Sequence, residues 1–160
     1  MEPKAICKVK YECRIKYEHE DTKRLNKIDK GDWIDVYADE DAVIPRFECV
    51  PVSLGFSLEL PTGHEAYLAP RSSTFRTWGC LIANSPAVID ESFCGNGDVW
   101  KALMLCIKPN DPENNVTVIK RGDKIAQMRI NSHMPIIEFK EVDSFENNID
   151  RGGFGTTGKT

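Results

Sequence analysis

Val50-Pro51-Val52-Ser53-Leu54-Gly55-Phe56-Ser57-Leu58-Glu59-Leu60, then Pro61-Thr62-Gly63, then Glu65-Ala66-Tyr67-Leu68, reads as strand, turn, strand. Apolar and polar side chains alternate through both runs, the period of a sheet with one buried face. The Pro-Thr-Gly triplet between them is turn chemistry. The same texture recurs over residues 6–11, 33–38, 99–107 and 136–142, punctuated by Gly95-Asn96-Gly97, Pro109-Asn110-Asp111-Pro112 and Arg121-Gly122-Asp123. Short strands with regular turns predict an all-β sandwich or barrel. One helix is expected, a turn or two over residues 72–78, where polar residues thin the apolar set.

The chain of 160 residues suits one domain with a real core. Hydrophobic residues are 41% and charged residues 29%, an ordinary globular balance. A net charge of -4 argues against a nucleic-acid polymer as ligand, while a single nucleotide needs only a local cluster of donors. No apolar run reaches membrane-spanning length, and Met1-Glu2-Pro3-Lys4-Ala5 lacks the apolar core of a signal peptide, so a cytoplasmic protein is expected. Cysteines 7, 13, 49, 80, 94 and 106 form no Cys-x-x-Cys pair and read as reduced thiols, mostly in strands. His19, His64 and His133 show no zinc spacing and receive no role. The expected organisation is a β domain over residues 1–145 and a flexible C-terminal arm over 146–160.

Four stretches carry chemistry. Arg151-Gly152-Gly153-Phe154-Gly155-Thr156 sets an arginine and an aromatic among glycines that build no core. Arg151 can grip a phosphate with two donors and Phe154 can stack on a planar ring, so the tail reads either as a lid over a nucleotide or as an unstructured end. Pro70-Arg71-Ser72-Ser73 follows an apolar strand, and its hydroxyls suit a helix cap and an anion site equally. Asn84-Ser85-Pro86-Ala87-Val88-Ile89-Asp90 reads as a hairpin with a carboxylate at its rim and Phe93 three residues on. Its backbone could read the edge of a base and Asp90 could deprotonate a water, or Asp90 could simply form a turn. In Arg121-Gly122-Asp123-Lys124-Ile125-Ala126-Gln127 an adhesion reading of Arg-Gly-Asp is set aside, Asp123 reads as a turn former, and Gln127 suits a phosphate or a water.

These pieces, in this order, resemble the trimeric dUTP pyrophosphatase (dUTPase) family. Its five motifs appear in sequence as Gly31-Asp32-Trp33-Ile34-Asp35-Val36-Tyr37-Ala38, Pro70-Arg71-Ser72-Ser73, the stretch 84–95 around Val88-Ile89-Asp90, the stretch 121–127, and the stretch 151–158. The Gly-Asp-Trp-Ile-Asp form of the first motif, Asn84-Ser85 before the third and the glycine-rich tail look most like dUTPases of Gram-positive bacteria and their phages. The resemblance implies a jelly-roll-type β-sandwich or barrel, a homotrimer whose sites draw on all three subunits, and Mg²⁺-assisted splitting of dUTP to dUMP and pyrophosphate by water attack on the α-phosphorus. It implies nucleotide-pool sanitation and dUMP supply as the role.

Carried over by residue, the resemblance makes Asp90 the carboxylate that activates the water and Phe93 the ring beneath the deoxyribose, which leaves no room for a 2′-hydroxyl. Asn84, Ala87, Val88 and Ile89 would read uracil. Arg71, Ser72 and Ser73 would hold phosphates, with Gln127 near the α-phosphate. Asp35 would reach Mg²⁺ through coordinated waters. Arg151 would clamp the γ-phosphate, Phe154 would stack on the base, and Gly155 and Thr156 would add phosphate donors. Phe93 stands where family members usually carry tyrosine, Trp33 and Ile34 replace a glycine and an aromatic, and Ala87 replaces a glycine. Trp100 reads as core. Two other readings stay in view: a dCTP deaminase, a relative with the same Arg-Ser-Ser motif that uses a glutamate as proton shuttle, with Glu91 nearby; and a dUTPase scaffold that binds a regulatory protein.

Overall fold

The computed structural model describes residues 10–146 and Ile149. Eleven strands and one short helix follow in the order β1 Arg14–Tyr17, β2 Ile34–Tyr37, β3 Ala42–Pro45, β4 Cys49–Ser53, β5 Phe56–Glu59, β6 His64–Ala69, α1 Thr74–Trp78, β7 Cys80–Ile82, β8 Ala87–Ile89, β9 Lys101–Cys106, β10 Val116–Ile119 and β11 Lys124–Ser132. The ladders form a four-stranded sheet β2-β11-β6-β8, a three-stranded sheet β4-β9-β7, and the pairs β1-β5 and β10-β3. Every pairing is antiparallel.

Period-2 patterning explains the inside of the molecule. Along β9, Ala102, Met104 and Cys106 are fully buried while Lys101, Leu103 and Leu105 face outward. Ala66 and Leu68 of β6 do the same opposite Ile44, Val52, Phe56, Ile119 and Ile125 of one continuous core. Trp100 lies in that core, 5.2 Å from the Phe56 ring. Cys80 and Cys106 oppose each other across β7 and β9, and burial pushes the Cys80 thiol up to about 12, so it packs as an apolar group.

Sequence expectation and structure part in several places. The single strand expected over 50–60 is two strands, β4 and β5, broken where Gly55 takes φ 72°. Of the strand expected over 6–11, residues 6–9 lie outside the described residues, and Lys10 and Tyr11 are not in a strand. Residues 136–142 alternate like a strand but form none. Ile136 and Phe139 stand in the open, because alternation makes a strand only when it finds a pairing edge, and no described strand of this chain pairs with this segment. The last strand therefore ends at Ser132. Residues 84–90 are not a two-stranded hairpin: β7 pairs with β9 and β8 with β6, so the chain changes sheets there.

Helix α1 is as short as its sequence predicts and stops at Gly79, which takes the left-handed conformation at φ 61° and donates to the Phe75 carbonyl at 2.7 Å. A Cβ on Gly79 would collide with the carbonyl of Lys108. Gly79→Ala is accordingly expected to destabilise the fold by roughly 3 kcal/mol, combining left-handed strain with a backbone clash. Thermal unfolding should show Tm lower by about 10 °C; an unchanged Tm would mean that the β9–β10 connection moves aside freely.

Candidate active site

The predicted site residues within the described part gather in two places. The first is a cavity of about 540 Å³ walled on one side by Asn84, Ala87, Val88, Ile89, Asp90 and Phe93, and on the other by the stretch 97–101. Strand β8 is its floor. Leu68, Tyr67 and Ala66 of β6 pair with Ala87, Val88 and Ile89, and β8 is the last strand of its sheet. The outer edge of β8 thus presents backbone donors and acceptors with no strand partner among the described residues. A planar ligand with an edge of donors and acceptors could complete that ladder.

Asp90 follows β8 directly and is exposed. Its main-chain oxygen accepts from the Phe93 N–H at 3.0 Å, which closes the turn that brings the Phe93 ring to the cavity. The Asp90 carboxylate makes no hydrogen bond among the described residues, which leaves it free to take a proton. The cavity's other carboxylate, Asp98, is committed: it accepts from the Gly95 N–H at 2.7 Å and ties its own loop. Phe93 is 40% exposed, with its ring toward the cavity rather than the core.

The second place is polar. Arg71 Nε donates to Asp35 Oδ1 at 2.8 Å, and Lys124 Nζ meets Asp35 Oδ2 at 3.1 Å. Arg71 Nη1 reaches Ser73 Oγ at 3.3 Å and the Lys124 carbonyl at 3.4 Å. Gln127 Nε2 donates to the Pro70 carbonyl at 3.0 Å. Two cations share one carboxylate, so the cluster keeps a positive excess for an anion. Asp35, Lys124 and Gln127 line a cavity of about 440 Å³ together with Trp33 and Tyr37.

Register builds this cluster. Gln127 pairs with Asp35 on one side and with Ala69, just before Pro70, on the other. A bulge between Lys124 and Ala126 inserts one residue, so Ile125 and Ala126 are both buried and Lys124 falls opposite Tyr37. Lys124 and Gln127, three apart, would point to opposite faces of a regular strand; the bulge brings both onto one cavity. Lys124 received no role from the sequence, and the signal lay in that broken alternation. Ser73 sits at the N-cap of α1 without a side-chain capping bond, so its hydroxyl serves Arg71 and not the helix. Ser72 is exposed beside it.

Arg121 lies outside both groups. Its guanidinium forks to Asp21 at 2.6 and 2.8 Å and to Asp39 at 2.9 and 3.1 Å, locking residues 18–24 onto the β10–β11 turn and holding the Asp21 carboxyl below its ordinary range. Asp123 accepts from the Lys120 N–H at 2.8 Å, as a turn former does. Arg-Gly-Asp is a structural turn here. Arg151, Phe154, Gly155 and Thr156 lie outside the described residues. No described helix is long and apolar enough to cross a membrane.

Known proteins carry the same pattern. Residues 33–158 match the family model described as dUTPase. The SPbeta prophage-derived deoxyuridine 5'-triphosphate nucleotidohydrolase YosS of Bacillus subtilis (strain 168) is 44% identical over 145 residues, covering 91% of this chain and 96% of that protein. A deoxyuridine 5'-triphosphate nucleotidohydrolase of Clostridioides difficile is 34% identical over 151 residues, 92% of this chain and 99% of its own. Among solved structures, the Staphylococcus bacteriophage 80alpha dUTPase with dUPNHPP superposes with a TM-score of 0.75 at 19% identity, covering 93% of this chain and 99% of that one. The dUTPase from Streptococcus mutans gives 0.66 at 20% identity, covering 78% and 98%. These likenesses establish the all-β fold expected from the alternating strands, in the jelly-roll form that the family resemblance implied. The family match begins one residue before β2 and runs through both groups of site residues into the tail, and on that extent the chain belongs to the dUTPase family, in the manner of its Gram-positive bacterial and phage members.

Proposed function

We propose that the chain hydrolyses dUTP to dUMP and pyrophosphate, clearing dUTP from the nucleotide pool and supplying dUMP. The observation that carries this reading is the unpartnered Asp90 carboxylate at the rim of a cavity whose floor is an open strand edge. Uracil fits the edge of Ala87, Val88 and Ile89, with Asn84 assisting. The Phe93 ring takes the face of the deoxyribose. Asp90 draws the proton from a water aimed at the α-phosphorus, while Arg71, Ser72, Ser73 and Gln127 hold phosphate oxygens. Arg151, Phe154, Gly155 and Thr156 would complete the site from the tail.

The two groups of residues stand apart on one chain, the first around its cavity and the second around Asp35 beside another, which supports sites assembled from several copies in a homotrimer. A regulatory protein partner remains a second role for the same scaffold. The deaminase alternative needs a glutamate facing the ligand. Glu91 instead turns to the Gly63 N–H at 2.8 Å and is not among the residues lining the cavity.

The donor set fits magnesium carried in by the substrate. No group of three or more His, Cys, Asp or Glu that could hold a metal occurs among the described residues. Asp35 offers a half-exposed carboxylate, already neutralised by Arg71 and Lys124, to a cavity roomy enough for a hydrated ion. When bound, the ion neutralises charge on the phosphate oxygens. Asp35 would then orient its waters, and Arg71 and Lys124 would hold Asp35.

A panel of dUTP, UTP, dTTP and dCTP, assayed for pyrophosphate and ammonia with and without Mg²⁺, tests the proposal. Pyrophosphate from dUTP alone is expected; ammonia from dCTP would transfer the chain to the deaminase reading. Within the same panel Phe93→Ala should narrow the preference for dUTP over UTP about ten- to a hundred-fold, the most that an apolar wall withholds from an added hydroxyl. Phe93→Tyr keeps the ring and should change the ratio little. An alanine variant that rejects UTP as the parent does would place the sugar filter elsewhere.

A further inference from the structure

We infer that Glu91 is a positioning residue: through its hydrogen bond to the Gly63 backbone it sets where Asp90 stands. The inference rests on the dUTP-hydrolysing reading of the Asp90 cavity. Beyond β8 the chain makes a loop from Asp90 to Val99 with few anchors. Phe93 N–H to the Asp90 carbonyl, Asp98 N–H to the Gly95 carbonyl and Gly95 N–H to the Asp98 carboxylate all stay inside that loop. Its far half is tethered by the Lys16 ammonium, which donates to the Asn96 carbonyl at 2.9 Å. Its near half, residues 90–94, has one hydrogen bond to another part of the chain among the described residues: Glu91 Oε2 accepts from the Gly63 N–H at 2.8 Å.

Gly63 makes a firm anchor. It stands at φ 75° in the β5–β6 turn, which the His64 N–H closes by donating to the Pro61 carbonyl at 3.1 Å. Its own carbonyl accepts from the His133 N–H at 2.9 Å, immediately after β11. The Gly63–His64 peptide is therefore gripped at both its C=O and its N–H, and the Gly63 N–H, in the adjoining Thr62–Gly63 peptide, projects from inside that closed turn. His133 Nε2 also lies 3.8 Å from the same Glu91 oxygen, with 44% of the histidine side chain exposed. Such an exposed ion pair contributes little. The backbone bond is the one that counts, because it joins adjacent residues: Glu91 fixed to Gly63 leaves Asp90 little freedom to swing. Two carboxylates side by side thus divide the labour, Asp90 toward the cavity and Glu91 toward the scaffold.

Three proteins test this: the full-length parent, Glu91→Ala and Glu91→Gln. The glutamine amide oxygen can accept the same bond, so it keeps position without charge. With dUTP, Glu91→Ala should lose about ten- to a hundred-fold in kcat, the scale on which a displaced catalytic group matters, with KM within about threefold. Glu91→Gln should return kcat to within about threefold of the parent. Hydrogen exchange at the Gly63 amide should be at least about tenfold faster in the alanine variant and near parental in the glutamine variant. Parental kcat in Glu91→Ala, or a glutamine variant as slow as the alanine one, would overturn the inference, the latter by showing that charge and not position is required. A parent inactive on dUTP would sink the functional reading instead, and the exchange comparison would still decide whether Glu91 holds the loop.

Discussion

Asp90→Asn is expected to slow turnover about a hundred- to ten-thousand-fold, the usual worth of a positioned general base, while leaving KM for dUTP and Tm near the parental values. The amide has the shape of the carboxylate but cannot accept the water's proton. Structure should survive for a definite reason. The turn at Asp90 is held by its main-chain oxygen, which accepts from the Phe93 N–H, and the side chain makes no hydrogen bond among the described residues. Nothing among the described residues is held by the carboxylate, and the strand edge and aromatic wall that would bind the nucleotide are untouched. The neighbouring Asp98 cannot substitute, since it is bonded to the Gly95 N–H. Pyrophosphate release, measured beside thermal unfolding, decides the matter: near-normal turnover in a folded variant would remove Asp90 from the chemistry.

Legibility of the sequence followed the range of each interaction. Period-2 alternation carried the β class and the faces of β2, β6 and β9, because burial of one sheet face is written residue by residue. The same rule misread residues 136–142. Alternation records amphipathy and not a partner, and the partner is what makes a strand. It also passed over β1, β3, β7 and β10, three or four residues each, too short for a period to stand out. Of the site, the local units were readable: Phe93 three residues after Asp90, Ser73 two after Arg71. The long-range ones were not. Nothing in the order of residues says that Glu91 bonds to Gly63, or that a bulge at Ile125 turns Lys124 toward Asp35. Motif resemblance supplied the roles, and geometry sets the residues that would carry them in two separate groups. That division also explains why a single chain, read alone, does not bring Asp90 and Arg71 to one place.

The polar cluster around Asp35 should be as sensitive to Arg71 as the cavity is to Asp90. Arg71→Ala is expected to cost about a hundred- to a thousand-fold in kcat/KM for dUTP, the loss seen when one preorganised donor to developing charge is removed. The guanidinium is half-buried and already oriented: Nε is held by Asp35, Nη1 by Ser73 and the Lys124 carbonyl, and Nη2 makes no hydrogen bond among the described residues. In the proposed reading that free end would meet a phosphate, and a guanidinium already held at Nε and Nη1 would lose little further freedom on binding. Alanine removes it and leaves Asp35 with Lys124 alone, shifting the cluster from a net positive charge to neutral. Arg71→Lys keeps the charge and should still fail to restore more than about a tenth of the activity, because one ammonium cannot reach Asp35, Ser73 and a phosphate oxygen at once. Stability should barely change, since the Arg71–Asp35 pair is only partly shielded from water. Steady-state kinetics on both variants, with thermal unfolding as the control, separate the possibilities. A lysine variant with parental kcat/KM would show that Arg71 acts as a point charge, and an alanine variant within about tenfold of the parent would show that the phosphates are held by other residues.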